Sequence, residues 1–287
     1  MLCNLQYNAV DFAVIVPQVR RLWIETFGDD DAFISHFFFL ADAEHHLHTL
    51  TADGRLVSML FALPYRIWHR GCEIPAAYIY AVATAADFAG NGCMRQLMQY
   101  VHDNLRLQGY AATFLVPSEE WLFHYYARLG YNVCAWYDDE VVARLMDIKM
   151  QCCSLLKEHL LTDEIYSFII SCAKESVASV LHSRESITLN ILSCEMSGGG
   201  LYVLRDGDAV SALAFVVNSG KVPLIIAEYS KKSDARSCLF QRLCLLLNVD
   251  FIQCRRSAPL GAVPYAMAYS LNGIFPAEVS MQLLLDV

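Results

Sequence analysis

Residues 81–98 read AVATAADFAGNGCMRQLM, a small apolar segment followed by a turn and an amphipathic helical pattern. The turn contains Gly90 and Gly92. Backbone N–H groups and the positive end of a helix dipole converge at such a turn, which suits a phosphate group. An ordinary strand-to-helix connection also uses glycines, for their backbone freedom alone. These residues by themselves leave both interpretations open.

The composition predicts a folded chain with large apolar cores. Of 287 residues, 56% are hydrophobic and 18% are charged, and the length allows one large domain or two of ordinary size. No apolar run reaches the roughly 18 residues of a membrane-spanning helix. The first residues, MLCNLQYNAVDFAVIVPQVRR, lack the basic start and cleavage pattern of a signal peptide. We therefore expect a cytoplasmic protein with no membrane partner.

Charge and cysteine content narrow the classes of partner. The net charge is −9 and no long run of Lys or Arg occurs, which argues against a nucleic-acid partner. An acidic surface tolerates a cationic or amine-bearing partner, although acidity also keeps proteins in solution. The 11 cysteines are irregularly spaced and predict buried free thiols rather than a zinc or redox site. With 15 Tyr and 15 Phe, burial of surface in a homo-oligomer stays open.

The first half of the chain reads as two helices, a hairpin, and then alternating strands and helices. Helices are predicted over 19–27 and 31–40, and the hairpin turns at Asp53-Gly54. A strand before the glycine turn, a helix to about residue 108, the strand AATFLV, the helix in SEEWLFHYYARLG and the strand in YNVCAWYDDEVVARL follow. His46 and His48 share a strand face, but no further ligand completes a metal site. An exposed polar face is therefore favoured, and no metal is predicted.

The second half of the chain echoes the first. Residues 146–183 have a long helical pattern and read as a bridge. LYVLRDGDAVSALAFVV then repeats the hairpin HHLHTLTADGRLVSMLFAL, and VPLIIAEYSKKSDARSCLFQRLCLLLN, DFIQCRRS and YSLNG parallel the later elements in the same order. This order indicates an internal duplication. We expect one domain over residues 1–145 and a bridge with a second domain over residues 146–287.

Two motifs together carry a family resemblance. YIYAVATAADFAGNGCMRQLM and FLVPSEEWLFHYYARLGY follow one another in the order that the family has. With them, residues 15–142 resemble the GCN5-related N-acetyltransferase (GNAT) family, and the whole chain resembles a tandem member with a degenerate second copy. The resemblance implies an α+β fold of α/β/α type. Its mixed, mostly antiparallel central sheet would be flanked by helices and duplicated in tandem.

The resemblance also implies an acetyl-CoA site at the glycine turn. Successive N–H groups of the loop would hold the pyrophosphate. The loop residues are Ala89, Gly90, Asn91, Gly92, Cys93 and Met94. The pantetheine arm would pair with the edge of the preceding strand like an added strand, and small side chains there allow its approach. The strand residues concerned are Ala81, Val82, Ala83 and Thr84.

The loop departs from the family pattern at two positions. The family usually has Arg or Gln where this chain has Ala89, and Gly or Ala where it has Met94. Losing the Arg removes a charge-assisted contact of ~1.5–3 kcal/mol. Met94 is expected to crowd the loop while still offering its N–H. Arg95 and Arg106 are candidates to compensate, with plain surface arginines as the alternative, so weakened binding of CoA is expected.

Acetyl transfer requires a neutral amine and a proton for the departing thiolate. Tyr126 occupies the family's general-acid position, and Tyr125, about 100° away on the helix, is assigned to packing. A backbone N–H at Val82 or Ala83 would polarise the thioester carbonyl.

The general base stays open among four groups. Three are the side chains of Glu25, Asp29 and Glu73, each of which also reads as a solvated surface carboxylate. The fourth is the carboxylate of Val287, because some tandem members bring the end of the chain across the cleft of the first unit. In the second copy, IAEYSKKSDARSCLF has no glycine turn, so this copy is not expected to bind CoA.

Three functions remain open from the sequence. The favoured one is acetyl-CoA-dependent N-acetyl transfer to a primary amine of a small molecule or peptide, by direct attack in a ternary complex. The alternative is a non-catalytic GNAT-like binding or regulatory module, which Ala89, Met94 and the lack of an obvious base support. The third is acyl transfer from a longer acyl-CoA or to a non-amine acceptor.

Overall fold

The computed structural model describes residues 5–145, 153–218, 220, 222–273 and 275–282. Contacts divide the chain into two units. The first contains the chain up to Arg66, then Ile74–Val133 and Ala266–Phe275; the second contains Ile67–Glu73, Cys134–Tyr265 and the chain from Pro276. The units therefore differ from the predicted ranges 1–145 and 146–287, because each includes segments from the other half of the sequence.

The described residues form 13 strands and 8 helices. The strands are β1 (Leu5–Tyr7), β2 (Leu47–Ala52), β3 (Arg55–His69), β4 (Cys72–Thr84), β5 (Ala112–Leu115), β6 (Asn132–Ala143), β7 (Cys153–Glu158), β8 (Ala178–Leu181), β9 (Gly200–Asp206), β10 (Ala209–Val217), β11 (Leu224–Ser230), β12 (Phe251–Ala258) and β13 (Val263–Ser270). The helices are α1 (Phe12–Phe27), α2 (Asp31–Leu40), α3 (Ala43–His46), α4 (Cys93–Leu107), α5 (Glu120–Ala127), α6 (Asp163–Ala173), α7 (Arg184–Met196) and α8 (Ser233–Leu246).

Strand order is the same in the two units. The first unit has the order β1-β2-β3-β4-β5-β13, with β4 and β5 parallel and β13 antiparallel to β5. The second has the order β7-β9-β10-β11-β12-β6, with β11 and β12 parallel and β6 antiparallel to β12. This correspondence supports the predicted duplication. The predicted α+β class, with a mixed and mostly antiparallel sheet flanked by helices, is confirmed.

The predicted hairpin at Asp53-Gly54 is confirmed. Both residues have positive φ, 51° and 78°, and they join β2 to β3 with Ala52 opposite Arg55. Two positive φ values match the right-handed twist of the paired strands, and Asp-Gly tolerates them at low cost. Gly207, with φ +60°, lies between β9 and β10 of the second unit.

In the first unit, alternate residues of β3 serve two cores. Leu60 belongs to a cluster with the apolar face of α4, which includes Leu97. Phe61 points to the other face, where its ring lies 5.5 Å from that of Trp23 in α1 and 5.1 Å from that of Phe37 in α2. Because successive strand residues point to opposite faces, one buried strand supports helices on both sides of the sheet.

The second unit repeats this arrangement on β10. Phe215 is in a cluster with Ile169 of α6 and Ile187 of α7. Its neighbour Ala214 is in a separate cluster with Leu243 of α8. Helices therefore cover both faces of this sheet as well.

The helices at the start of the chain agree only in part with the prediction. The helix predicted over 31–40 is confirmed as α2, and the side chain of Asp30 caps it by accepting a hydrogen bond from the N–H of Phe33 at 2.7 Å. The helix predicted over 19–27 begins earlier, at Phe12, and contains Pro17. Proline costs one helical hydrogen bond, but the buried face of α1, which includes Ile15, carries the helix through it.

In the described part of residues 146–183, the predicted helical pattern is confirmed only over α6 and is wrong elsewhere. This part contains the strand β7, the helix α6 and the strand β8. β7 pairs with β9, with Leu155 opposite Leu204, so a distant partner determines its conformation. Thr162 ends the connection by capping α6 through the N–H of Ile165.

Candidate active site

The glycine turn of the first unit forms an open loop at the start of α4. Gly90 and Gly92 have φ of +76° and +75°, and a Cβ added to either would meet no atom within 4 Å. Asn91 fixes the loop, because its side-chain amide donates to the carbonyl oxygens of Phe88 at 3.3 Å and Ala89 at 3.2 Å. The glycines are thus required for backbone conformation, and the space beside them is empty.

The first N–H groups of α4 face this loop. Gly92 is the N-cap residue without a side-chain cap, and its carbonyl accepts the first helical bond, from Gln96 N–H at 3.2 Å. N–H groups at the start of a helix have no partner within the helix, and the positive dipole end adds to their attraction for an anion. The loop therefore has the geometry of a phosphate site.

Two expectations for the loop need correction. Met94 does not crowd it, because its side chain is buried in the cluster between α4 and the sheet, as is Cys93. Arg106 cannot compensate at the loop, because 14 residues of helix place it about 20 Å away. Its side chain instead donates to the carbonyl of Leu271 at 3.0 Å and pairs with Asp103 at 2.8 Å.

Ala89 and Arg95 remain as predicted loop residues. Both are exposed, and Ala89 offers no charge to a ligand. Arg95 lies near Tyr125, whose pKa it lowers, although burial, the larger effect, raises that pKa overall. An exposed guanidinium one turn into α4 is thus available beside α5.

The strand before the loop is irregular where the pantetheine arm would pair. Its parallel pairing with β5 covers Ala76–Tyr78, opposite Ala112–Phe114. Ala81 then has φ +48°, the left-handed region that an L-residue rarely adopts. Residues 81–84 lie beyond the pairing of β4 with β5, which ends at Tyr78, and we expect an added strand to pair with them.

The side chains at the end of β4 are small or tied to the sheet. Ala81 and Ala83 are buried, and Val82 packs at the border of the α4 cluster. The hydroxyl of Thr84 lies 2.9 Å from that of Ser58 in β3. The segment therefore combines a fixed backbone with little side-chain bulk.

Tyr126 is buried beside this segment. It belongs to the cluster that contains Cys93, Met94 and, at its border, Val82. Burial raises the pKa of its phenol well above the usual range, so the group is protonated at neutral pH. A protonated phenol can supply a proton to a leaving thiolate. Tyr125, assigned to packing, is half-buried with its ring 6.5 Å from that of Trp121.

The candidate bases differ in their surroundings. Glu25 is exposed and paired with Arg21 at 2.9 Å. Glu73 belongs to the second unit and is paired with Lys174 at 2.9 Å. Val287 lies outside the described residues.

Asp29 is the remaining side-chain candidate. It is half-buried and accepts a hydrogen bond from the indole N–H of Trp23 at 2.7 Å. The ring of Trp23 in turn lies 5.7 Å from that of Tyr80 on β4. Asp29 is therefore held by a residue that contacts the strand of the site.

Sequence reasoning missed two groups of side chains around the site. One is the aromatic set on the α1 and α2 side, for which the run FFFL at residues 37–40 is the available signal. Its members are Trp23, Phe37, Phe38, Phe61 and Tyr80.

The other group is a buried polar triangle. In it, His102 Nε2 lies 2.9 Å from the Tyr131 hydroxyl and 3.2 Å from that of Thr113. A single histidine on the apolar face of a helix gives little signal of such a network.

The corresponding turn of the second unit does not form a loop like that at Gly90 and Gly92. No residue of 224–246 has positive φ, and Lys232 takes the N-cap position of α8 in extended conformation. Arg236 of α8 donates to Glu228 on β11 and, at 2.7 Å, to Glu140 on β6. An ion-pair network thus lies beside β11.

Metal ligands and membrane helices are not found among the described residues. In them, no three His, Cys, Asp or Glu side chains gather into a group that could hold a metal ion. Burial lowers the pKa of His48 to about 4, and its Nδ1 lies 3.3 Å from the Asn8 amide nitrogen.

In the described parts of the chain, no helix has the length and apolarity needed to cross a membrane. The cytoplasmic location stays a prediction.

Known proteins share this domain and fold. Residues 15–134 match a family model described as an acetyltransferase (GNAT) domain. A conserved protein from Enterococcus faecalis V583, a probable N-acyltransferase, has a TM-score of 0.77 at 14% identity. The superposition covers 94% of this chain and 73% of that protein. A GCN5-related N-acetyltransferase from Anabaena variabilis has a TM-score of 0.72 at 14% identity, with the same coverage.

A third solved structure covers almost the whole chain. The N-myristoyltransferase of Saccharomyces cerevisiae, with bound myristoyl-CoA, has a TM-score of 0.60 at 13% identity, over 98% of this chain and 85% of that one. At these identities the similarity shows the fold alone. No curated protein matches the chain.

Proposed function

We propose that the protein is an acetyl-CoA-dependent N-acetyltransferase that acts on a primary amine, and the match of residues 15–134 to the acetyltransferase (GNAT) family model supports this. One observation carries the proposal. The start of α4 and the end of β4, which the glycine loop joins, meet Tyr126 of α5 in one cluster beside this open loop of N–H groups. The acceptor would be a small molecule or a peptide.

The chemistry needs little beyond positioning and proton transfer. The neutral amine attacks the thioester carbonyl in a ternary complex, the C–N bond forms and the C–S bond breaks. A backbone N–H at Val82 or Ala83 would stabilise the oxyanion. Tyr126 would protonate the departing thiolate, and a carboxylate would take the proton of the amine. Asp29 is the candidate we favour for that role, acting through water.

Binding of CoA is the first test. The variant Gly92→Glu places a carboxylate in the open space at the loop, where it repels the pyrophosphate. Gly109→Glu is the matched control, because Gly109 also has positive φ, +85°, and open space, but lies beyond the other end of α4. Both variants carry the same backbone strain.

Calorimetry with acetyl-CoA separates the outcomes. We expect micromolar binding by the wild type and by Gly109→Glu, and at least a tenfold loss in Gly92→Glu. No binding by the wild type would overturn the proposal in favour of a non-catalytic module. Tighter binding of a longer acyl-CoA would replace acetyl with that acyl group as the substrate.

A further inference from the structure

The second unit contains a polar cavity of about 170 Å³ between α6, β8 and β11. Cys172, Ala173 and Val180 supply its apolar wall. Four serines, Tyr229, the carboxylate of Glu228 and the amide of Gln282 supply the rest of the lining. The cavity is thus large enough for a small organic molecule and mixes apolar and polar contacts as ligand sites do.

Two residues that line this cavity each have a buried acceptor atom without a partner in the described parts of the chain. Glu228 Oε2 and Gln282 Oε1 are buried and form no hydrogen bond with the described residues. The other carboxylate oxygen of Glu228 accepts from Arg236, which fixes the side chain. A buried acceptor without a donor costs ~1–3 kcal/mol, so these two atoms favour a ligand that donates hydrogen bonds.

Two hydroxyls at the cavity are also available. Within the described parts of the chain, the hydroxyls of Ser176 and Ser230 have no hydrogen-bond partner, whereas Ser179 donates to the carbonyl of Ala173 at 2.6 Å. Burial, the largest effect, raises the pKa of Glu228. A cation beside it would oppose this shift. The unpaired oxygen of Glu228 therefore favours a ligand that donates hydrogen bonds, and a charged donor most, although Arg236 already pairs with the other oxygen.

We propose that this cavity binds a small aliphatic primary amine as its ammonium ion. The three N–H donors of the ammonium would reach Glu228 Oε2, Gln282 Oε1 and a serine hydroxyl, and the alkyl chain would lie against Cys172, Ala173 and Val180. This inference concerns the second unit and does not depend on acetyl transfer by the first.

The test measures binding of n-propylammonium chloride by calorimetry, with n-propanol and sodium propionate as probes of equal size without the ammonium group. Glu228→Gln removes the charge of the carboxylate. Ser176→Leu fills the cavity and leaves the pair of Glu228 with Arg236 intact. Glu185→Gln, on the exposed start of α7, is the matched control. Circular dichroism checks that each variant is folded.

We expect saturable binding of propylammonium that weakens at least tenfold in Glu228→Gln and in Ser176→Leu and does not change in Glu185→Gln. If one variant does not fold, the other decides. Absence of saturable binding, equal binding of propionate, or unchanged affinity in a folded cavity variant would overturn the proposal. If the amine bound at the first unit instead, its affinity would be unchanged in the folded cavity variants. The experiment therefore distinguishes the two sites.

Discussion

Replacing His102 by Gln should remove a defined part of the acid sensitivity of the protein. His102 is buried in the first unit, 3% exposed, and its ring stacks on that of Tyr269 at 4.3 Å. Burial, the largest effect, and Arg106 lower its pKa from 6.5 to about 4. The native state therefore holds this histidine neutral over a pH range in which the unfolded chain protonates it.

The sign follows from proton binding. Between pH 6.5 and about 4 the unfolded state binds the proton and the native state does not, so stability falls as the pH falls. The full difference of about 2.5 pKa units corresponds to ~3.4 kcal/mol, of which ~2 kcal/mol is lost between pH 7 and pH 5. Glutamine cannot take up a proton and has no such loss.

The assay compares urea unfolding of the wild type and His102→Gln at pH 7 and at pH 5. Loss of stacking destabilises the variant by a constant amount at both pH values. His48 and His182, whose pKa values burial also lowers to about 4, are present in both proteins and cancel. The free energy of unfolding should fall by ~2 kcal/mol more in the wild type than in the variant.

A direct titration completes the test. The ring proton resonance of His102 should shift with a midpoint near pH 4. A midpoint between pH 6 and 7, or equal losses of stability in the two proteins, would refute the reasoning.

Three further predictions concern the site and the second unit. Tyr126→Phe should lower kcat about 100-fold and leave acetyl-CoA affinity unchanged, as steady-state kinetics and calorimetry would show, and an equal effect of Tyr125→Phe would contradict the assignment. Gly199→Ala places a Cβ 1.8 Å from a backbone oxygen of β10 and should lower the free energy of unfolding by about 3 kcal/mol or more, whereas Gly207→Ala, with open space, should cost ~1–2 kcal/mol. Thr162→Ala removes the cap of α6 and should cost ~1 kcal/mol by urea unfolding, while Thr162→Ser should cost little.

Local chemistry explains which features the sequence predicted. Gly90, Gly92 and the Asp53-Gly54 turn require positive φ, and that requirement is visible in the residues themselves. Met94 was misplaced as loop bulk, although its spacing from Leu97, Met98 and Val101 puts it on the buried face of α4. The helical spacing of the apolar residues therefore predicts the burial of Met94 better than its position in the loop motif does.

Distant pairing explains what the sequence did not predict. The sequences of β6 and β13 do not predict which strands they pair with. Backbone hydrogen bonds between strands are chemically alike, and the register depends on the whole sheet. The conformation of β7 likewise depends on its pairing with β9, which its own residues do not predict. The polar triangle around His102 joins α4, β5 and the residue before β6, and only the fold brings these positions together.

Because β13 belongs to the first unit, this unit cannot complete its sheet until late in synthesis of the chain. β5 pairs with β13, so the sheet of the first unit lacks its last strand until residue 270 has been made, although its other segments end at Val133. At a ribosomal rate of about 5–20 residues per second this interval lasts about 7–27 s. During it, the edge of β5 is open to wrong partners. A gene fragment that stops after residue 145 would leave that edge open permanently.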